Sequence, residues 1–384
     1  MRRHQRPRDP ELRDHLRLSR TEGVGPVAYR RLLARYDGPA EAIRALPELA
    51  RAGGRAAAPP VPTETEAEAE LDRLAKMGAR LLVIGQPGYP PLLALLDDAP
   101  PLLAVLGDVT MLAGRGIAVV GGRNASANGQ RVAAALAEEA AAAGLAVISG
   151  LARGIDAAAH EGALRAGRTV AAVAGGLDMP YPPEHADLQR RITEQGAVVA
   201  EAPLGTAPQA RHFPRRNRII AGLALGVVVI EAALRSGSLI TARLAQEAGR
   251  ELFAVPGSPL DPRARGSNDL IRQGAHLTET AADVLANLPD HPFRQGLQRD
   301  PLFAREELAE VDPHGPLQDA SVPSGELVAA RRTVTDLLGP SPTAVDDLVR
   351  RCQLSPAAVM AALLELELAG RIETLPGQRV ALLA

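Results

Sequence analysis

Between residues 114 and 285 the chain alternates short, wholly apolar β-rich runs with helical ones, and this alternation restricts the fold more than any other feature. The spacing predicts strands at Ile117–Val120, Leu145–Ile148, Thr169–Val173, Ala197–Ala200, Gly226–Ile230 and Leu252–Val255. Helices are expected between most of them, at Gly129–Ala143, Ile155–Ala166 and Leu239–Gly249. A strand that is apolar throughout must be covered on both faces, and parallel neighbours need a crossover of helix length. The expected architecture is therefore α/β, an extended Rossmann-like, doubly wound, mostly parallel sheet.

The flanks have a different texture. Residues 1–10 read as a charged, disordered tail and 11–55 as a helical domain, in which Gly23-Val24-Gly25-Pro26 breaks the apolar faces. Residues 56–79 read as a linker and a helix, followed by a strand over 80–84 and the main domain, 80–285. Residues 286–330 hold six prolines and three Arg against eight Asp/Glu, the composition of an acidic linker. A winged-helix domain is expected over 331–384: a helix near 343–351, a second capped by Ser355-Pro356 and running to Ala369, then a hairpin turning at Pro376-Gly377.

Composition narrows the chemistry. The 384 residues carry 43 Lys+Arg and 45 Asp+Glu, a net charge of -2 that by itself points to no polyanionic partner. Lys76 is the only lysine, so nearly every cation is a guanidinium, which grips phosphate as a planar fork. Four Tyr, four Phe and no Trp leave little material for base stacking. The single cysteine, Cys352, excludes an internal disulfide and fits a reducing, cytoplasmic setting. The histidines never recur at metal-ligand spacing, so no metal or cofactor is expected. The longest apolar run, Ile219 to Ile230, is too short to span a bilayer, and the Arg-rich start is no secretory signal.

Ligands of a doubly wound sheet bind at the carboxyl ends of its strands, so the loops there are the candidate sites. Gly121-Gly122-Arg123-Asn124-Ala125-Ser126 reads as an anion seat, with free amides near Ser126 and a charged fork at Arg123, or as a tight turn with a surface arginine. It is not a GxGxxG dinucleotide loop. In Ser149–Asp156, which carries Arg153, Asp156 and His160 stand four apart; a capping aspartate with a hydrogen-bonded histidine is favoured over a general acid–base pair. Gly175-Gly176-Leu177-Asp178 offers open backbone beside a helix start. Arg211-His212-Phe213-Pro214-Arg215-Arg216-Asn217-Arg218 sets four arginines and one ring in eight residues, without an acid. That suits a nucleic-acid backbone with one stacked base, or arginines tying helices to carboxylates. Ser236-Gly237-Ser238 with Thr241 reads as another anion seat, and without a lysine it is no P-loop.

Together these loops resemble the DNA-processing protein A (DprA/Smf) family, over about residues 80–285. The resemblance lies in Gly88-Tyr89-Pro90, Val119–Ser126, Ser149–Asp156 with Ala159-His160, Gly176-Leu177-Asp178 with Tyr181-Pro182, Phe213–Gly222, Ser236–Thr241 and Ala254–Gly257. Small departures are Gly122 where Ser is common, Gln86 where Asp often precedes the Pro-Gly-Tyr-Pro and Ala200 where Ser often precedes Glu201; none removes a charge from the expected groove. The resemblance implies a non-enzymatic protein that binds single-stranded DNA, usually as a homodimer, protects incoming strands in natural transformation and helps load the RecA recombinase. It implies DNA contacts at Arg123 and at Arg215, Arg216 and Arg218. The N-terminal segment looks like a helix-hairpin-helix or sterile-alpha-motif-like domain, whose hairpin amides would hold phosphate or simply pack. The second winged-helix helix has no Lys or Arg and carries Glu365 and Glu367, so a protein-contact or auxiliary role is expected rather than major-groove reading. A nucleotide phosphoribohydrolase of the same fold class and a winged-helix transcription factor are the rival readings. The first lacks its Pro-Gly-Gly-x-Gly-Thr-x-x-Glu motif; the acidic helix weakens the second.

Overall fold

The computed structural model describes residues 9–289, 324–375 and 378–383. They divide into two compact units, one of residues from Asp72 to 289 and one joining the segment up to Leu71 with the segment from 324 onward.

The first unit is a nine-stranded sheet. Its strands are β1 Arg80–Val83, β2 Leu102–Gly107, β3 Gly116–Val120, β4 Ala146–Ser149, β5 Thr169–Ala172, β6 Ala197–Ala200, β7 Gly226–Val229, β8 Glu251–Ala254 and β9 His276–Leu277. The order is β1-β2-β6-β5-β4-β3-β7-β8-β9. β3 to β9 are mutually parallel, while β2 runs antiparallel to both β1 and β6. Every residue of β3 to β7 is buried, as their unbroken apolar character requires. Alternate residues feed opposite cores: Ala118 and Val120 join Ile219, Ile220 and Leu223 on one face, and Ile117 and Val119 join Ala133, Leu136 and Ala140 on the other. Each large side chain so buried contributes about 1.5–3 kcal/mol. From β6 the chain crosses, through the helix His212–Leu223, to β7 on the far side of β3. The strand order therefore reverses between β3 and β7, which makes the loops after those two strands the walls of the switch-point crevice.

The second unit joins the N-terminal helices to the winged helix. Prolines begin Pro10–Ser19, Pro26–Arg35, Pro39–Ala52 and Pro356–Leu368, where the missing amide costs nothing and φ is already helical. Ser355 caps the last of these by accepting from the amide of Ala358 at 3.3 Å. The winged helix comprises Ser324–Leu337, β10 Thr343–Ala344, Val345–Cys352, Pro356–Leu368, β11 Ile372–Leu375 and β12 Arg379–Leu382, with sheet order β10-β12-β11. The apolar helix Pro356–Leu368 packs between Ser324–Leu337 and Pro39–Ala52. Its two carboxylates are buried: Glu365 pairs with Arg331 at 3.2 Å, and burial pushes Glu367 up to about 7 against the lowering effect of Arg31. A Cβ at Gly53 would overlap the carbonyl of Glu365, so the helices meet at backbone distance. The hairpin glycines Gly23 and Gly25 lie against the backbone and the carboxylate of Glu367, so this turn packs on protein.

Several expected boundaries shift. Of the expected tail, residues 1–8 lie outside the described residues, but Asp9 caps a helix that starts at Pro10. Most of the expected linker also lies outside them, yet Ala281–Asn287 and Ser324–Leu337 extend helix into both its ends. Thr343 belongs to a strand, not to the following helix. β2 and β9 were not foreseen.

Candidate anion-binding cleft

A cleft of about 640 Å³ opens at the switch point. It gathers Gly121 and Arg123 from the loop after β3, Phe213, Arg216 and Asn217 from the crossover helix, and Ser236, Gly237, Ser238 and Thr241 from the loop and helix after β7. Nine of the candidate binding residues thus converge from three segments spread between Gly121 and Thr241. Tyr181, Pro208, Ile240 and Asp156 line it as well, none of them expected from the sequence to touch a ligand phosphate or base. Tyr181 could have been found as one of only four tyrosines, next to a loop already under suspicion.

Phe213 is the hub. Its ring centroid lies 4.9 Å from the Arg123 guanidinium carbon, 5.9 Å from that of Arg216 and 5.7 Å from the Tyr181 ring, which meets it edge-on. Arg123 is exposed, and its guanidinium makes no ion pair among the described residues. Arg216 is buried beneath it. Its Nη1 lies 4.0 Å from Asp156 Oδ2, and it occupies the space over Gly150, where a Cβ would fall on the guanidinium. Asp156 also accepts the amides of Gly150 at 3.2 Å and Ala152 at 3.3 Å. Burial pushes Asp156 up, against Arg216 and those amides, and pulls Arg216 down, against Asp156. Gly154, at φ 78°, lets this loop lie against the carbonyls of Gly122 and Arg123, where a side chain would overlap.

Asp156 therefore ties a loop; Gly154 takes the N-cap position. His160 is separately engaged. Its Nδ1 lies 2.7 Å from Thr169 Oγ1, whose hydroxyl donates to the carbonyl of Val147 at 2.9 Å, so Nδ1 carries the proton. Burial, with help from Arg216 and His185, holds His160 down to about 3, and it does not line the cleft. The favoured reading of a hydrogen-bonded histidine matches this geometry. The two side chains do not form an acid–base pair.

The other candidates differ in their surroundings. The α-helix start at Ser126 is not open: Glu231 accepts the Ser126 amide at 2.8 Å and its hydroxyl at 2.6 Å, and the Gly122 amide donates to the carbonyl of Glu231 at 2.6 Å. Gly175 and Gly176 are closed by the segment 203–208, with the Gly176 amide donating to the carbonyl of Thr206. Arg218 is buried, grips both oxygens of Glu201 at 2.6 Å and donates to the carbonyl of Asp98; it is a structural tie. Arg153 points outward and pairs with Glu184. Arg211 and Arg215 are exposed on the helix whose neighbours Pro214 and Arg216 line the cleft. Ser236 caps the helix Gly237–Glu247: its Oγ accepts the Ser238 amide at 3.3 Å and lies 2.7 Å from the Ser238 hydroxyl. Among the described residues no cluster of three or more His, Cys, Asp or Glu could hold a metal ion, and no helix is long and apolar enough to cross a membrane.

Fold and cleft together define a doubly wound α/β protein with an arginine- and aromatic-lined crevice at its switch point, joined to a helical module and a winged helix. The chain belongs to the DNA recombination-mediator protein A family, whose profile it matches over residues 80–289. Residues 318–378 match the DprA winged helix domain and residues 9–72 the DprA-like N-terminal HHH domain. It is 42% identical over 296 residues to Protein Smf of Escherichia coli K12, covering 77% of this chain and 75% of that one. To DNA processing protein DprA of Bacillus subtilis it is 43% identical over 217 residues, covering 56% and 73%. The X-ray structure of DNA processing protein A from Streptococcus pneumoniae superposes with a TM-score of 0.57 at 40% identity, over 60% of this chain and 80% of that one.

Proposed function

We propose that this protein binds single-stranded DNA without sequence preference, protects incoming strands, and helps load the RecA recombinase in natural transformation and recombination. It acts without catalysis, as a cytoplasmic homodimer. The observation that carries the reading is the exposed, unpaired Arg123 fork over the ring of Phe213, at a crevice floored by Arg216 and faced by the Gly237–Glu247 helix start. A guanidinium and helix amides seat phosphates, and the exposed Arg123 guanidinium, backed by the Phe213 ring, offers a plane for one unstacked base. Only a single strand offers a phosphate and an unstacked base together. Few rings in the cleft mean little base readout. Two clefts on one strand would raise affinity by avidity. The family's description as a recombination mediator supports the recombinase-loading step.

Competition between single-stranded and duplex DNA of equal length for the full chain tests the strand preference, and sedimentation of the same samples tests the dimer. Preference for duplex would overturn the reading. Release of free base from nucleotides by the purified full chain would favour the phosphoribohydrolase alternative instead.

A further inference from the structure

In a doubly wound sheet, the loop after the first parallel strand at the switch point, with the helix start behind it, is where a nucleotide phosphate ordinarily sits. That place is built here, at Ser126 and the start of the helix Ala127–Ala142, and it is filled from inside the chain. Glu231 follows β7, across the switch from β3. Its Oε2 accepts the Ser126 amide at 2.8 Å and its Oε1 the Ser126 hydroxyl at 2.6 Å. Gly129 leaves room for the carboxylate, since a Cβ there would stand 2.5 Å from its carbon. Helix capping does not need this group: Ser126 Oγ already accepts the Gly129 amide at 2.9 Å. What the carboxylate adds is a charge where the helix favours an anion, and two charge-assisted bonds to the loop that carries Arg123. The carbonyl of the same residue takes the amide of Gly122, so Glu231 clamps that loop at both ends.

We infer that Glu231 is a positioning and specificity residue: it is the built-in anion of this seat, fixing the Arg123 loop and turning external phosphate away toward the neighbouring cleft. The second half of this inference rests on the single-strand-binding reading above.

The test uses the full chain with Glu231→Ala, which empties the seat, and Glu231→Gln, which keeps its shape without its charge. Inorganic phosphate, titrated against chloride at constant ionic strength, should raise the thermal midpoint of Glu231→Ala by more than it raises the parent's. Single-strand affinity of Glu231→Ala should fall about ten-fold or more, as two charge-assisted bonds to the Arg123 loop are lost, and recover several-fold in acetate relative to chloride. Glu231→Gln should lose affinity in the same direction and carries the test if the alanine variant does not fold. Parent-like affinity in both variants, or a loss that neither anion reverses, overturns the inference. Failure of the parent itself to bind single strands would sink the proposed function, while the phosphate response would still decide whether the seat exists.

Discussion

Arg216 Nη1 stands 4.0 Å from Asp156 Oδ2 beneath the cleft, and both side chains are buried. Burial pulls the arginine down and pushes the aspartate up, so each ion depends on the other and on the amides of Gly150 and Ala152. Removing one partner of a buried pair costs about 3–5 kcal/mol, because the other charge is left uncompensated. Arg216→Met should therefore lower the unfolding free energy by about 3 kcal/mol. Asp156→Asn combined with Arg216→Met should recover part of that loss in a denaturant-unfolding cycle. Gly150→Ala should act in the same direction, since its methyl would fall on the guanidinium.

Arg218 separates structural from binding arginines. It is buried and held by Glu201 and the carbonyl of Asp98. Arg218→Met should cost about 3 kcal/mol of stability while leaving the salt dependence of DNA binding at temperatures where the variant is folded equal to the parent's. A reduced salt slope in this variant would place Arg218 back in the groove.

Glu367 gives the second unit a pH dependence. Its carboxyl is pushed up to about 7 by burial, above its ordinary value of 4.5. The folded state therefore holds the proton more tightly than the unfolded chain does. The stability this confers is complete below about pH 4.5 and is lost as pH rises through about 7. Glu367→Gln mimics the protonated form, so it should match the parent near pH 4.5 and exceed it by up to about 3 kcal/mol at pH 8. Unfolding of both proteins across that range checks it; an equal difference at every pH would contradict it.

His160 is expected to stay neutral through the physiological range. Its pKa is driven down to about 3, chiefly by burial. Any stability linked to it is present above its ordinary value of 6.5 and lost as pH falls toward 3. Nitrogen NMR of the imidazole should show a proton on Nδ1 and no titration between pH 5 and 8; a midpoint near 6.5 would contradict the placement.

The strands β3 to β8 are legible because each holds a short apolar run flanked by turn residues. β2, Leu102–Gly107, is just as apolar but follows Pro100-Pro101 in a segment without helical alternation, so no period marked it. β9 is two residues long, too short for any pattern. At the site, the motif loops located the cleft, but linear clustering could not say which arginine faces it. Successive helix residues turn by about 100°, so Arg215 is exposed, Arg216 lies buried under the cleft and Arg218 is sunk against Glu201. Nor could the reading show that Ser126 already had its anion. Glu231 stands one residue past the apolar run Ile219 to Ile230, and its partner lies 105 residues earlier in the chain.

The salt dependence of single-strand binding by the full chain and by Arg123→Ala tests the central claim most directly. Each phosphate neutralised on a single strand contributes about 0.7 to the slope of log K against log salt. The account predicts tighter binding of single strands than of duplex, and an Arg123→Ala variant that binds more weakly with a slope shallower by about 0.7. Equal affinity and an unchanged slope in Arg123→Ala would contradict it.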